Sequence, residues 1–392
     1  MKYYIIAGEA SGDLHGSNLM RQIYLQDRKA DFRIWGGDLM RNVYMNNQDG
    51  NGLVNNYKDD AVMGFSQVIL HIGKFVKKLK ACQSDIVSWK PDVVILIDYP
   101  GFNFKIAEFA HKNGIKVFYY IAPKVWASRQ NRIKMIRNYV DKLFIIFPFE
   151  KDYFDRQKID YVYEGNPLTD AVADFMGNNT GNKDFLLKYD LKDKPYIAIL
   201  AGSRKSEINS MMPICMEYAK KLNELNEYKN YKFIVAGAPS RTIEDYLGYI
   251  PKNNNNIQVI FNHTYQIIKY AKVAIVNSGT ASLETCLIGT PQVVAYACSP
   301  LNFNIGRHII KIDMISLGNL ILGRKAFKEL IQYYFTPENL LSETRRLIED
   351  TEYRENMLHD YELIRAKLGS GNVSAKIAES MIQTLNNSLA RK

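Results

Sequence analysis

The chain has 392 residues, 47% hydrophobic and 23% charged, a size and balance suited to two globular domains with a core each. Four cysteines without a C-x-x-C pair and six scattered histidines exclude a disulfide scaffold and a zinc centre, and no apolar run approaches the roughly 18–20 residues of a membrane-spanning helix. The opening apolar run is too short for a secretory signal, so a cytoplasmic protein is expected, and the net charge of +10 points to phosphate as nucleic acid, anionic lipid or phosphorylated substrates, or else serves solubility alone.

Strand and helix patterns alternate along the first half. Tyr3–Ala7 reads as a short buried strand, followed by a glycine-rich turn and a helix from about Gly16. Phe32–Trp35 is a second strand, and the spacing predicts a helix over Gly64–Ser88. Asp92–Ile97 is a β-branched run with the profile of a central parallel strand. A helix from about Phe104 and strands Val117–Ile121 and Lys142–Ile146 follow. Residues 174–195 open as a polar linker, and the pattern restarts with strands Tyr196–Leu200, Lys232–Ala236, Gln258–Phe261, Val273–Val276 and Gln292–Tyr296. A helix is expected over Ser206–Asn226, and after Thr336 the chain is helical and highly charged. The expected fold is α/β: two Rossmann-like, doubly wound parallel sheets facing across a cleft, with ligand loops at the strand C-termini. The expected domains are 1–173 and 174–340, with helices 341–392 packing back on the first.

Candidate chemistry gathers at these strand ends. Asn277-Ser278-Gly279-Thr280-Ala281 opens a helix, and its free N–H groups form a seat for phosphate. Ser278 and Thr280 add hydroxyls, and Glu284, one turn on, suits a ribose. The alternative is an ordinary capped helix. Gly202-Ser203-Arg204 places a guanidinium to grip a diphosphate, with a surface ion pair to Glu207 as the alternative. Glu9, Ser11, Asp13 and His15 lie among glycines 8, 12 and 16, in a pattern that fails the dinucleotide fingerprint. That loop suits sugar hydroxyls or an acceptor phosphate, or else Ser11 or Asp13 is a helix cap. Asp98, at the end of a central strand, is a general-base candidate, with a cap or an ion-pair partner as its alternative. The stripe Val62, Phe65, Val68, Ile69 and onward, with Met63 and flanking lysines, reads as core or as a membrane-contacting face.

Gly8–Gly16, Ile97–Asn103, Ala122–Ala127, Pro148–Glu150, Gly202–Ile208 and Ser278–Glu284 together resemble the lipid-A-disaccharide synthase family, as do Ser316–Leu320 and Glu329–Gln332. The resemblance implies a GT-B glycosyltransferase that inverts. Its donor is UDP-2,3-diacylglucosamine and its acceptor 2,3-diacylglucosamine 1-phosphate. The product is the β-1,6 disaccharide 1-phosphate plus UDP, and no cofactor or metal is required. It further implies Asp98, Arg204 and Glu9 as catalytic, and a UDP site of Gly202, Ser203, Arg204, Ser278, Gly279, Thr280, Ala281 and Glu284. Ser11, Asp13, His15 and Asn103 would bind the acceptor, while Val62, Met63, Phe65, Val68 and Ile69 would touch the inner face of the bacterial inner membrane. Expected partners are the two lipid sugars and an anionic membrane surface, with no nucleic acid and with a homodimer possible.

Gly101, Ser128 and Gly318 depart from the family pattern, where an Asp, a Trp and a Pro are common. The rival readings are another GT-B enzyme such as a nucleotide-sugar 2-epimerase, a non-catalytic nucleotide-sugar-binding protein, and a nucleic-acid-binding protein. The last would need a contiguous basic face, and here the lysines and arginines are spread along the chain.

Overall fold

A computed structural model of the chain describes residues 1–61, 68–123, 125, 132–177, 182–252, 254–298, 314–369 and 371–389. They form two compact units, Met1–Asp170 with Ser370–Lys392, and Ala171–Gly369.

The first unit is built on strands β1 (Lys2–Ala7), β2 (Asp31–Gly36), β3 (Leu53–Asn56), β4 (Val93–Ile97), β5 (Lys116–Tyr120), β6 (Lys142–Ile145) and β7 (Tyr161–Tyr163). All pair in parallel, in the order β3-β2-β1-β4-β5-β6-β7. Its described helices are α1 (Ala10–Gln26), α2 (Asp38–Met45), α3 (Tyr57–Ala61), α4 (Val68–Trp89), α5 (Pro100–Lys112), α6 (Ile133–Tyr139) and α7 (Glu150–Arg156). α8 (Leu168–Gly177) runs across the division into the second unit. Val93 to Ile97 are all buried, as a β-branched run between two layers of helices requires. The strand order reverses between β1 and β4, which pair from Tyr3↔Val93 to Ala7↔Ile97, so the loops after them lie side by side.

The second unit has strands β8 (Tyr196–Leu200), β9 (Lys232–Gly237), β10 (Ile257–Phe261), β11 (Val273–Asn277), β12 (Gln292–Tyr296) and β13 (Glu329–Ile331). They form a parallel sheet in the order β10-β9-β8-β11-β12-β13, reversing between β8 and β11. Its described helices are α9 (Asn182–Lys188), α10 (Lys205–Asn223), α11 (Glu244–Leu247), α12 (Thr264–Tyr270), α13 (Thr280–Ile288), α14 (Leu317–Leu322), α15 (Pro337–Glu349) and α16 (Thr351–Leu368).

The C-terminal helices correct the expected boundaries. α15 packs on α10, and α16 packs on α13 and α14, so both belong to the second unit. Their apolar stripes (Leu340, Leu347, Met357, Tyr361 and Ile364) are buried there, and Tyr218 Oη donates to Thr344 Oγ1 at 2.9 Å. Only α17 (Val373–Leu389) joins the first unit, against α1. Asp170 holds its start by accepting from Val373 N at 3.1 Å and Ser374 N at 2.7 Å.

Two further readings change. α1 begins at Ala10 rather than Gly16, because the glycines serve packing instead of a turn: a β-carbon on Gly16 would lie 2.3 Å from Met40 Sδ. The edge strands β3, β7 and β13, of 4, 3 and 3 residues, are too short to show a period in the sequence. Among the described residues no helix is long and apolar enough to cross a membrane.

Candidate functional site

At the switch point of the first unit, Glu9 is the N-cap of α1 in extended conformation, exposed, and its side chain makes no capping bond. Ser11 lies half-buried in the first turn. Asp13 and His15, expected at an acceptor, turn inward and are buried. The Asp13 carboxylate accepts from Gly37 N at 3.0 Å, Leu39 N at 3.1 Å and Met40 N at 3.1 Å, capping α2. Burial pushes its acid up, and those N–H groups only partly offset this. His15 is 4% exposed, and burial pushes its imidazole down to about 4, so it sits neutral in the core.

Asp98 follows β4 and is half-buried. It and Tyr99 both have left-handed backbones, φ 42° and 47°, a conformation that a residue with a Cβ avoids. Three contacts hold this turn. The Asp98 carbonyl accepts from Tyr119 Oη at 2.7 Å and Asn103 Nδ2 at 2.8 Å, and Asn103 Nδ2 also reaches the Ile97 carbonyl at 3.2 Å. Asn103 is wholly buried and is therefore a brace for the turn, where acceptor binding was expected. Tyr99 stacks on Phe102 (5.6 Å), which stacks on Trp35 (5.9 Å), and Lys78 Nζ lies 5.7 Å from the Trp35 ring centre. Gly101 opens to solvent, with nothing described within 4 Å of a β-carbon there. Glu150 is buried and accepts from Ile146 N and Phe147 N, so its part in the Pro-Phe-Glu motif is structural.

In the second unit the loops after β8 and β11 are neighbours. Gly202, at φ 101°, passes between Glu207 and Asn277, where a β-carbon would lie 2.4 Å from Glu207 Oε2 and 2.5 Å from Asn277 Nδ2. Glu207 Oε2 accepts from Ser203 N at 2.9 Å and Arg204 N at 3.1 Å, so a carboxylate already occupies this end of α10. Arg204 pairs with Glu207 Oε1 at 3.4 Å while its side chain stays 60% exposed. Such a pair contributes little, and the guanidinium can turn to a better anion.

Gly279 is extended, with nothing described within 4 Å of a β-carbon, and Thr280 and Ala281, half-buried, open α13. The Ser278 hydroxyl donates to the Ile315 carbonyl at 3.2 Å, so its proton is engaged by the backbone. Glu329 fixes that strap, accepting from Ile315 N at 3.0 Å, Ser316 N at 3.0 Å and Asn319 Nδ2 at 2.9 Å. Glu284 Oε1 accepts from Tyr265 Oη at 2.8 Å, and burial pushes the Glu284 acid up against that bond.

Sequence reasoning missed Tyr119 and Tyr265, whose only signal is that of a buried aromatic; their hydroxyl partners are distant in the chain. Val62, Met63 and Phe65 lie outside the described residues, as do Lys124, Trp126, Ala127 and Ser128; Val68 and Ile69 open α4. Among the described residues no three His, Cys, Asp or Glu side chains gather as a metal-ligand set.

A sequence profile described as Lipid-A-disaccharide synthetase matches residues 3–383. The chain belongs to this family. It is a glycosyltransferase of lipid A disaccharide synthesis. The Lipid-A-disaccharide synthase of Geobacter sulfurreducens is 33% identical over 381 residues, covering 97% of this chain and 96% of the relative. That of Coxiella burnetii is 31% identical over 375 residues, covering 96% of each. Among solved structures, the UDP-GlcNAc 2-epimerase of Neisseria meningitidis bound to UDP-GlcNAc superposes with a TM-score of 0.70 at 15% identity, over 98% of this chain and 100% of that one. S. aureus MnaA with UDP gives 0.68 at 16% identity, over 98% and 97%. At such identities the likeness concerns the fold, which is GT-B. Among the residues of the family's motifs, Asp13, Asn103, Glu150 and Glu329 hold loops in place, while Glu9, Asp98, Arg204 and Gly279 stay at least partly open.

Proposed function

We propose that the chain joins UDP-2,3-diacylglucosamine to 2,3-diacylglucosamine 1-phosphate with inversion. The acceptor 6-hydroxyl attacks the anomeric carbon of the donor. A C–O bond forms, the bond to the β-phosphate breaks, and UDP leaves as an anion. Asp98 takes the hydroxyl proton as general base, with Glu9 beside it on the acceptor side. Arg204 and the start of α13 receive the charge developing on the diphosphate, with no metal in the reading. Ser203 and the Gly202 backbone line the same loop, and Glu284, oriented by Tyr265, serves the ribose.

The observation that carries this reading is Asp98 itself, a partly exposed carboxylate held in a left-handed turn at the end of a central strand, where strain is retained for function. The open Gly279 at the head of a nine-residue helix supports the phosphate half. The net charge of +10 and the lysines of α4 suit a peripheral position on the anionic inner face of the membrane.

Purified protein with both lipid sugars should yield disaccharide and UDP, and Asp98→Asn should abolish turnover while UDP still binds. Turnover at the wild-type rate in Asp98→Asn removes Asp98 as base.

A further inference from the structure

We infer that Tyr119 and Asn103 are positioning residues for the transfer: by holding the Asp98 carbonyl from two sides they set the direction in which the Asp98 carboxylate leaves the chain. The inference rests on the reading of Asp98 as base and adds the residues through which that base is aimed.

Asp98 and Tyr99 are consecutive non-glycine residues at positive φ, a pair that persists only where the surroundings over-determine it. The peptide between them is pinned on its oxygen by Tyr119 Oη (2.7 Å) and Asn103 Nδ2 (2.8 Å), while Asp98 N points to the Tyr120 carbonyl at 3.4 Å. Relaxation of Asp98 to a right-handed or extended backbone would rotate that carbonyl away from both donors. The same rotation would swing the Cα–Cβ bond, and the carboxylate with it. A displacement of about 1 Å at a reacting group is enough to cost a large factor in rate.

Both donors are themselves packed in the core. Tyr119 is wholly buried on β5, its ring tilted against Phe104 at a centroid distance of 5.5 Å. Burial, and then the Asp98 charge, push its hydroxyl well above the usual phenol range, so it remains a donor at any working pH. Asn103 is wholly buried in the first turn of α5 and bridges two successive carbonyls, Ile97 and Asp98. The brace thus ties strand β5 and helix α5 to the one turn that carries the base.

Tyr119→Phe deletes one hydroxyl and keeps the ring. Loss of one such bond should lower kcat about tenfold, with KM for both lipid sugars and the Kd for UDP within about twofold of wild type. Asn103→Ser, whose shorter donor cannot span both carbonyls, should act in the same direction, and the double variant should fall below either. An unchanged kcat in both Tyr119→Phe and Asn103→Ser, with Asp98→Asn inactive, overturns the inference and leaves the base standing. KM rising in step with a large fall in Tm also overturns it, since that marks a structural role alone. Wild-type turnover in Asp98→Asn is the separate result that removes the base, and the inference with it.

Discussion

The ring of Tyr99 occupies the space a β-carbon on residue 8 would need: that atom would lie 2.4 Å from Tyr99 Cγ. The loop after β1 and the loop after β4 therefore close on one another through a glycine and an aromatic face.

Gly8→Ala should force the Tyr99 ring off the β1 loop. Overpacking of this kind costs about 1–3 kcal/mol, read as a lower midpoint in urea unfolding, and kcat should fall with it. A variant with wild-type stability and wild-type kcat would show that the contact is not constraining.

Gly279→Ala places a methyl group where nothing described lies within 4 Å, on an extended backbone that alanine adopts readily. Thermal stability should be unchanged while UDP affinity falls, as measured by titration calorimetry. Equal affinity would mean that no phosphate approaches this backbone.

Arg204→Ala should weaken UDP binding by about 10–100-fold, the worth of a charge-assisted contact, and Arg204→Lys should recover part of it. Tm should stay within about 1 °C, because an exposed pair such as that with Glu207 is worth little to folding. A large loss of Tm with intact UDP binding would assign Arg204 to structure.

His15 makes stability depend on pH. Its folded value is near 4 against 6.5 for the free side chain, so between those values the unfolded chain binds more protons. The stability of neutral His15 is fully present above about pH 6.5 and is lost as pH falls toward 4, by up to about 3 kcal/mol. His15→Asn should flatten this part of the stability–pH curve in denaturant titrations; an unchanged slope would show that the loss arises elsewhere.

Asp170→Ala removes both acceptors at the start of α17. A cost of about 1–2 kcal/mol is expected, with faster amide exchange at 373–376. Unchanged exchange would mean that the α1 contact alone seats the helix.

The sheets were legible because their central strands are continuous apolar runs bounded by loops of distinct composition; Val93–Ile97 and Val273–Asn277 needed no more than their residues. Of the four edge strands, β10 was legible, but β3, β7 and β13 were not, being too short to carry a period. At the site, the placement of Asp98, Arg204 and Gly279 at strand ends followed from pattern. What the pattern hid was direction. Asp13 and His15 lie two residues apart in a loop-like string of glycines, and it is the packing of α1 on several sides, against α2, the sheet and α17, that buries both. Likewise Asn103 reads as a polar loop residue until α5 is seen to begin at Pro100, which buries it.

Asp170 is the last residue of the first unit before the chain departs, and it grips the segment that comes back some two hundred positions later. On the ribosome this imposes an order of events. The face of α1 that receives α17 stays uncovered until residues 373–389 have been synthesised, so the half of the molecule made first is the half finished last. A nascent chain arrested before that point exposes the apolar side of α1, and chaperone demand during synthesis should be greatest for the domain bearing Asp98.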